Sequence, residues 1–243
     1  WFLDRSRSRV LLDQLQSEQG ARFLHKRNRN ILIEVEAEIP EDPDFVWLTL
    51  GQIKRLMAFD NVVNMDLRTV VSGIPFGQAE RLLEPASFAE AMRASATEVR
   101  NHFLPLDDII SWFTGQKTKF DLQVTPCDLR TIADWEMSDE CLRHKGEQFF
   151  RVIWVDVEIS NREVTAWQQP LVEPVREGSI AFIVKRSQGV PHFLVQAKLE
   201  CGNFDILEFA PTVQCITGSY ANSLKVLPYL EYVLTARPDQ IRY

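Results

Sequence analysis

The residues best able to move protons lie in two alternating stretches. In a strand, successive side chains point to opposite faces. Along 190–200 (VPHFLVQAKLE) this puts Phe193, Val195, Ala197 and Leu199 on an apolar face. His192, Gln196, Lys198 and Glu200 share the other face with Leu194. Along 161–169 (NREVTAWQQ) the same parity groups Asn161, Glu163, Thr165, Trp167 and Gln169. A carboxylate can serve as general acid or base, a lysine ammonium stabilises a developing oxyanion, and amides hold hydroxyls and base edges. A tryptophan among amides and a carboxylate suits a stacking wall. Together these groups suit a sugar-nucleotide pocket, although a solvent-facing strand would show the same polarity. Lys198 or Arg162 could offset phosphate charge, arginine being the better bidentate partner. Arg162 falls on the strand face opposite Glu163 and fits a structural ion pair equally well.

Two further polar groupings precede these strands. Arg27, Asn28, Arg29 and Asn30 form a cationic, amide-rich loop before a strand. Asn61, Asn64, Asp66 and Arg68 cluster at a helix start. Both are candidates to close a nucleotide pocket. For Asp66 and Arg68, packing at a helix end is the alternative.

These groups must be carried by a mixed set of elements. Residues 10–24 bear apolar side chains at helical spacing, broken by Gly20. Residues 30–39 alternate strictly, with Ile31, Ile33, Val35, Ala37 and Ile39 on one side and Glu34, Glu36 and Glu38 on the other, which predicts a half-buried strand. Thr49 caps a helix over 51–59, and 60–76 predicts a short helix followed by a loop. Residues 77–105 form a connector containing a helix, and Asp107 to Phe113 form another, with Trp112 and Phe113 in the core. From about 120 onward strands dominate, over 148–159, 161–169, 179–186 and 190–200, punctuated by Gly178, Gly189 and Gly202. Pro228 opens a last helix that Pro238 stops. The expected fold class is α+β: a mostly antiparallel, curved sheet flanked by helices.

Composition narrows the function classes. The chain has 243 residues, 45% hydrophobic and 25% charged, as in ordinary globular proteins. Its net charge of −7 argues against non-specific nucleic-acid binding. Neither a signal peptide nor a long apolar run is visible, so the expectation is a cytoplasmic protein without a membrane partner. Cys127, Cys141, Cys201 and Cys215 form no C-x-x-C pair and the histidines are scattered, so no metal site is expected.

Three long strings carry a family resemblance: SNREVTAWQQPLV (160–172), HFLVQAKLECGNFDILEFAPTVQ (192–214) and PYLEYVL (228–234). They resemble the repeated module of NDP-hexose 2,3-dehydratases. LLDQLQSEQGARFLHKRNRNILIEV (11–35) and the stretch 48–76 resemble the segment joining that family's two modules. The resemblance implies a Nudix-like fold, with residues 1–80 as a connecting segment after a missing first module and 81–243 as the second module. Trp1-Phe2-Leu3 then stands where Tyr232-Val233-Leu234 stands in the second module. The signature helix of Nudix hydrolases is not found, so metal-dependent diphosphate cleavage is not expected.

The implied activity is that of a hydro-lyase acting on dTDP-4-dehydro-6-deoxyglucose in deoxysugar and antibiotic biosynthesis. The C3 hydrogen is alpha to the C4 ketone, and the C2 hydroxyl is beta to it. A base and an acid therefore suffice to eliminate water, and the enol tautomerises to a 3,4-diketo-2,6-dideoxy sugar without a redox cofactor. On this basis Glu163 and Glu200 are candidates for proton transfer, with Lys198 or His192 stabilising the oxyanion or phosphates. Gln169, Gln196, Thr212 and Gln214 would fix the sugar and thymine, Trp167 or Tyr220 would stack, and Arg27, Arg29 and Asn64 would close the nucleotide pocket. The resemblance also implies a homodimer, and an NADPH-dependent 3-ketoreductase as the next pathway enzyme. The alternative is a non-catalytic dTDP-sugar-binding or dimerisation half of a duplicated dehydratase.

Overall fold

The computed structural model describes residues 8–35, 43, 45–74, 87–97, 103–160, 163–176, 178–187, 190–215 and 227–241. The first element corrects an expectation. Residues 10–24, with their helical spacing, form not a helix but strand β1 (Ser8–Ser17) and the turn after it. β1 pairs antiparallel with β2 (Arg27–Val35), with a bulge between Val10 and Leu12. Leu12, Gln14, Gln16 and Glu18 turn inward and Leu11, Asp13, Leu15 and Ser17 outward, the two-residue period of a strand. A short apolar run fits both periods, and the available partner strand decides between them. The predicted strand over 30–39 begins earlier, at Arg27, and its positions 36–39 lie outside the described residues.

Helix α1 (Leu50–Leu56) starts where Thr49 was expected to cap it. Thr49 Oγ1 accepts from Gln52 N, and Gln52 Oε1 accepts from Thr49 N, which closes a capping box. Asn64 caps α2 (Met65–Ser72) by accepting from Leu67 N at 2.9 Å. Gly73 ends α2 against the hairpin, where an added Cβ would lie 2.5 Å from Gln14 Nε2. Helices α3 (Phe88–Thr97) and α4 (Leu106–Lys117) follow. Trp112 was expected in the core but is 45% exposed; it and Phe113 stack on Phe209 at the rim.

Strands β3 (Trp135–Met137), β4 (Cys141–His144), β5 (Phe150–Glu158) and β6 (Ala166–Pro174) form an antiparallel sheet in chain order. The strand predicted over 161–169 starts only at Ala166, because the connection from β5 closes by Ile159 N donating to Thr165 O. Glu163 therefore lies in that connection, exposed, and not on a strand face with Trp167. Asn161 and Arg162 lie outside the described residues.

The stretch 179–186 splits into β7 (Ser179–Ala181) and β8 (Ile183–Ser187). β9 (Val190–Leu199) pairs with β8 on one side and β10 (Leu207–Pro211) on the other, while β11 (Val213–Cys215) pairs with β7. Every strand pairing among the described residues is antiparallel, and the fold is α+β. A short helix α5 (Leu230–Leu234) covers β11, where Val213, Cys215 and Leu230 form a buried cluster with Val233 against it.

The β1–β2 turn docks on the β9–β10 turn. Gly202 N donates to Gly20 O at 2.6 Å and His25 N to Gly202 O at 2.7 Å. A Cβ on Gly202 would stand 1.9 Å from Phe23 O, so only glycine permits this approach. The contact brings residues of the N-terminal hairpin to the polar side of β9.

Candidate functional site

Strand β9 carries its polar side inward. Gln196, Lys198 and Glu200 are half-buried, whereas Phe193, Val195 and Leu199 on the opposite face are 39%, 42% and 38% exposed. A polar stripe turned inward needs internal partners, and they come from the chain just after β10. Lys198 Nζ donates to Gln214 O at 2.6 Å and lies 3.7 Å from Glu200 Oε1. The side chains of Lys198 and Glu200 are 24% and 10% exposed, so their charges are partly withdrawn from water. Gln214 Nε2 reaches Glu200 Oε1 at 3.4 Å. Gln196 Nε2 donates to Pro211 O at 2.8 Å and Thr212 O at 3.3 Å, and its carbonyl oxygen makes no hydrogen bond among the described residues. Burial pushes the neighbouring Cys215 thiol upward, with the Lys198 charge partly opposing it, so this cysteine stays a protonated core residue.

Five expected residues thus meet: Gln196, Lys198, Glu200, Thr212 and Gln214. Thr212 is there as a joint. Its hydroxyl donates to Leu194 O and accepts from Ile183 N at 2.9 Å. That bond ties the start of β8 to the chain between β10 and β11. Arg27 is carried to the same corner, with its guanidinium 4.1 Å from the centre of the Phe204 ring in the β9–β10 turn.

Other expected residues stand elsewhere. Trp167 and Gln169 share one face of β6, in a different sheet, where the indole N–H donates to Gln169 Oε1 at 2.6 Å. His192 sits at the far end of β9, roughly 20 Å along the strand from Lys198, with its ring 4.5 Å from that of Phe103. Arg29 makes a two-pronged pair with Asp13 across the hairpin, and Asn64 is engaged as a helix cap. Tyr220 lies outside the described residues.

One group was not anticipated. Glu208 faces Lys198 across the β9–β10 ladder, is half-buried, and accepts a hydrogen bond from Ser17 Oγ at 2.6 Å. Its signal in the sequence is a lone carboxylate inside the apolar run Ile206–Ala210. Among the described residues no group of three or more His, Cys, Asp or Glu side chains could hold a metal ion. No helix among them is long and apolar enough to cross a membrane.

Fold and cluster together define an α+β protein with two carboxylates, an ammonium and amides gathered on the inward side of an antiparallel sheet. The chain matches the family model described as NDP-hexose 2,3-dehydratase over residues 1–74 and 106–243, and it belongs to that family. It is 43% identical, over 100% of its length, to a dTDP-4-dehydro-6-deoxy-alpha-D-glucopyranose 2,3-dehydratase of Saccharopolyspora spinosa, covering 51% of that protein. Relatives with the same name from Streptomyces violaceoruber and Amycolatopsis orientalis are 40% and 37% identical, over 97% and 100% of this chain and 51% and 48% of their own lengths. The chain therefore spans about half the length of the curated relatives it matches.

Proposed function

We propose that this chain belongs to a sugar-nucleotide 2,3-dehydratase that removes the C2 hydroxyl of dTDP-4-dehydro-6-deoxyglucose, and that the Lys198–Glu200 cluster takes part. The observation that carries the proposal is the inward-turned polar face of β9, in a chain 37–43% identical to relatives bearing that name. Glu200 takes the C3 proton. Lys198 meets the charge that develops on the C4 oxygen, where a partly dehydrated ammonium acts more strongly than in water. Gln196 and Gln214 hold sugar hydroxyls. Glu208 serves as the acid for the departing C2 hydroxyl in place of Glu163, since it shares the face of Lys198 whereas Glu163 is exposed near another sheet. Water leaves, the C2–C3 enol becomes the C3 ketone, and no electrons enter from outside.

The remaining expectations belong to the same proposal. Residues 1–80 connect modules and 81–243 form a Nudix-like module; the family match is interrupted between 74 and 106, around this boundary. The protein acts in the cytoplasm as a homodimer in antibiotic deoxysugar assembly, and hands an unstable diketone to an NADPH-dependent 3-ketoreductase.

A second reading is a dTDP-sugar-binding half without catalysis. It is favoured by the engagement of Lys198 with Gln214 and Glu200, which already satisfies the cluster internally. A coupled assay separates the two. The chain would be supplied with dTDP-4-dehydro-6-deoxyglucose, a 3-ketoreductase and NADPH, and dTDP-2,6-dideoxy-sugar followed by mass spectrometry. Turnover that is lost in Glu200→Gln supports the catalytic reading. Sugar-nucleotide binding without turnover supports the other.

A further inference from the structure

A second polar constellation lies on the β3–β6 sheet, away from the cluster on β9. The ladder aligns Glu136 with Arg143, Arg143 with Arg151, and Arg151 with Glu173. Cross-strand partners project from the same face, so one row reads acid, base, base, acid. Two like charges directly opposite each other are unfavourable, and each guanidinium is held by the carboxylate on its outer side. Arg143 Nε donates to Glu136 Oε1 at 2.8 Å, and Arg151 Nε donates to Glu173 Oε2. Each carboxylate thus takes the Nε donor of its guanidinium. The Nη groups of the pair make no hydrogen bond among the described residues, which leaves two charged forks side by side.

Beside this row opens a cavity of about 350 Å³, lined by both arginines together with His144, Glu147, Gln148 and Phe150. Its volume lies in the range of small-molecule sites, ~300–1,000 Å³. The lining carries both signs. Paired guanidiniums match the oxygens of a phosphate. Glu147 and Glu173 would repel a bare anion but accept hydrogen bonds from hydroxyls. Gln148 can donate to or accept from the same hydroxyls. A ligand with a phosphate at one end and hydroxyls at the other matches the paired guanidiniums and the carboxylate and amide groups beside them.

We propose that Arg143 and Arg151 form a binding site for a sugar phosphate, separate from the Lys198–Glu200 cluster. The site stands whether or not the dehydratase reading holds.

Isothermal titration of the full chain with glucose 1-phosphate, and separately with inorganic pyrophosphate, tests this at low salt. Saturable glucose 1-phosphate binding is expected. It should weaken at least tenfold in Arg143→Ala and Arg151→Ala, and remain unchanged in Arg130→Ala, an exposed arginine paired with Asp128. Arg143→Lys and Arg151→Lys keep the charge and lose the fork, so they should weaken binding by a smaller factor. Glu147→Gln should weaken glucose 1-phosphate and strengthen pyrophosphate. In the unaltered chain, glucose 1-phosphate should protect Arg143 and Arg151 from phenylglyoxal, read by peptide mass spectrometry. The proposal is overturned by absence of saturable binding, by pyrophosphate binding alone, by equal loss in Arg130→Ala, or by modification of both arginines undiminished by ligand.

Discussion

Glu200 and Lys198 form the pair on which the proposed chemistry turns. A general base contributes about 100-fold to 10,000-fold in rate. Glu200→Gln keeps the shape and the acceptor oxygen toward Gln214 but removes the base, so kcat in the coupled assay should fall at least about 100-fold with KM little changed. An equal loss in KM would instead mark Glu200 as a binding group. A second carboxylate offers a test of the hairpin. Hydrogen bonding from Lys26 lowers the Glu18 carboxyl below its usual value; burial opposes this, and Asn28 adds to the lowering. A depressed folded-state value stabilises the fold above the unfolded value and loses that contribution as pH falls through the folded one. Thermal midpoints of the unaltered chain and Glu18→Gln should therefore differ at pH 7 and converge on acidification below about 4.5. A constant difference down to pH 3 would remove the ion pair from the account.

Elements are joined here by backbone contacts as much as by side chains. The clearest joint is between the turns that follow β1 and β9, where Gly20 and Gly202 meet. Gly202→Ala forces its methyl onto two backbone oxygens, at 1.9 Å and 2.4 Å, which cannot retreat without separating the turns. Overpacking of this kind costs about 3 kcal/mol, and urea unfolding should show it as a lower midpoint. An unchanged midpoint would mean that the two turns do not rely on each other. The same joint brings Arg27 and Ser17 to the β9 cluster. Its loss should also weaken any ligand held there, which binding by the refolded variant would reveal.

In the whole molecule, little apolar surface is fully enclosed among the described residues. Leu207 is 1% exposed and Val213 2%, while Phe193, Val195 and Phe209 remain 39%, 42% and 47% exposed. Stability should therefore respond unequally to substitution. Leu207→Ala should cost about 3 kcal/mol through transfer and cavity terms, and Val195→Thr no more than about 0.5 kcal/mol. Similar losses at both positions, measured by denaturant unfolding, would show that the outer face of β9 is packed in solution. The sequence alone determined the α+β class, the cap at Thr49, and the parity of β9, because capping and alternation are local and each leaves its own residue pattern. It also brought Lys198, Glu200 and Gln196 onto one face. Local pattern could not decide that 10–24 would be a strand, since Leu12 and Leu15 satisfy a helix until Ile31 to Ile33 present a partner. Which face of β9 turns inward was equally undetermined, because both its polar and its apolar sides admit either burial. Only tertiary structure placed Trp167 and Lys198 in different sheets, set Glu208 opposite Lys198, and aligned Arg143 with Arg151. Those relations depend on strand register between distant segments, which is fixed by the packing of whole faces and not by the spacing of any single stretch.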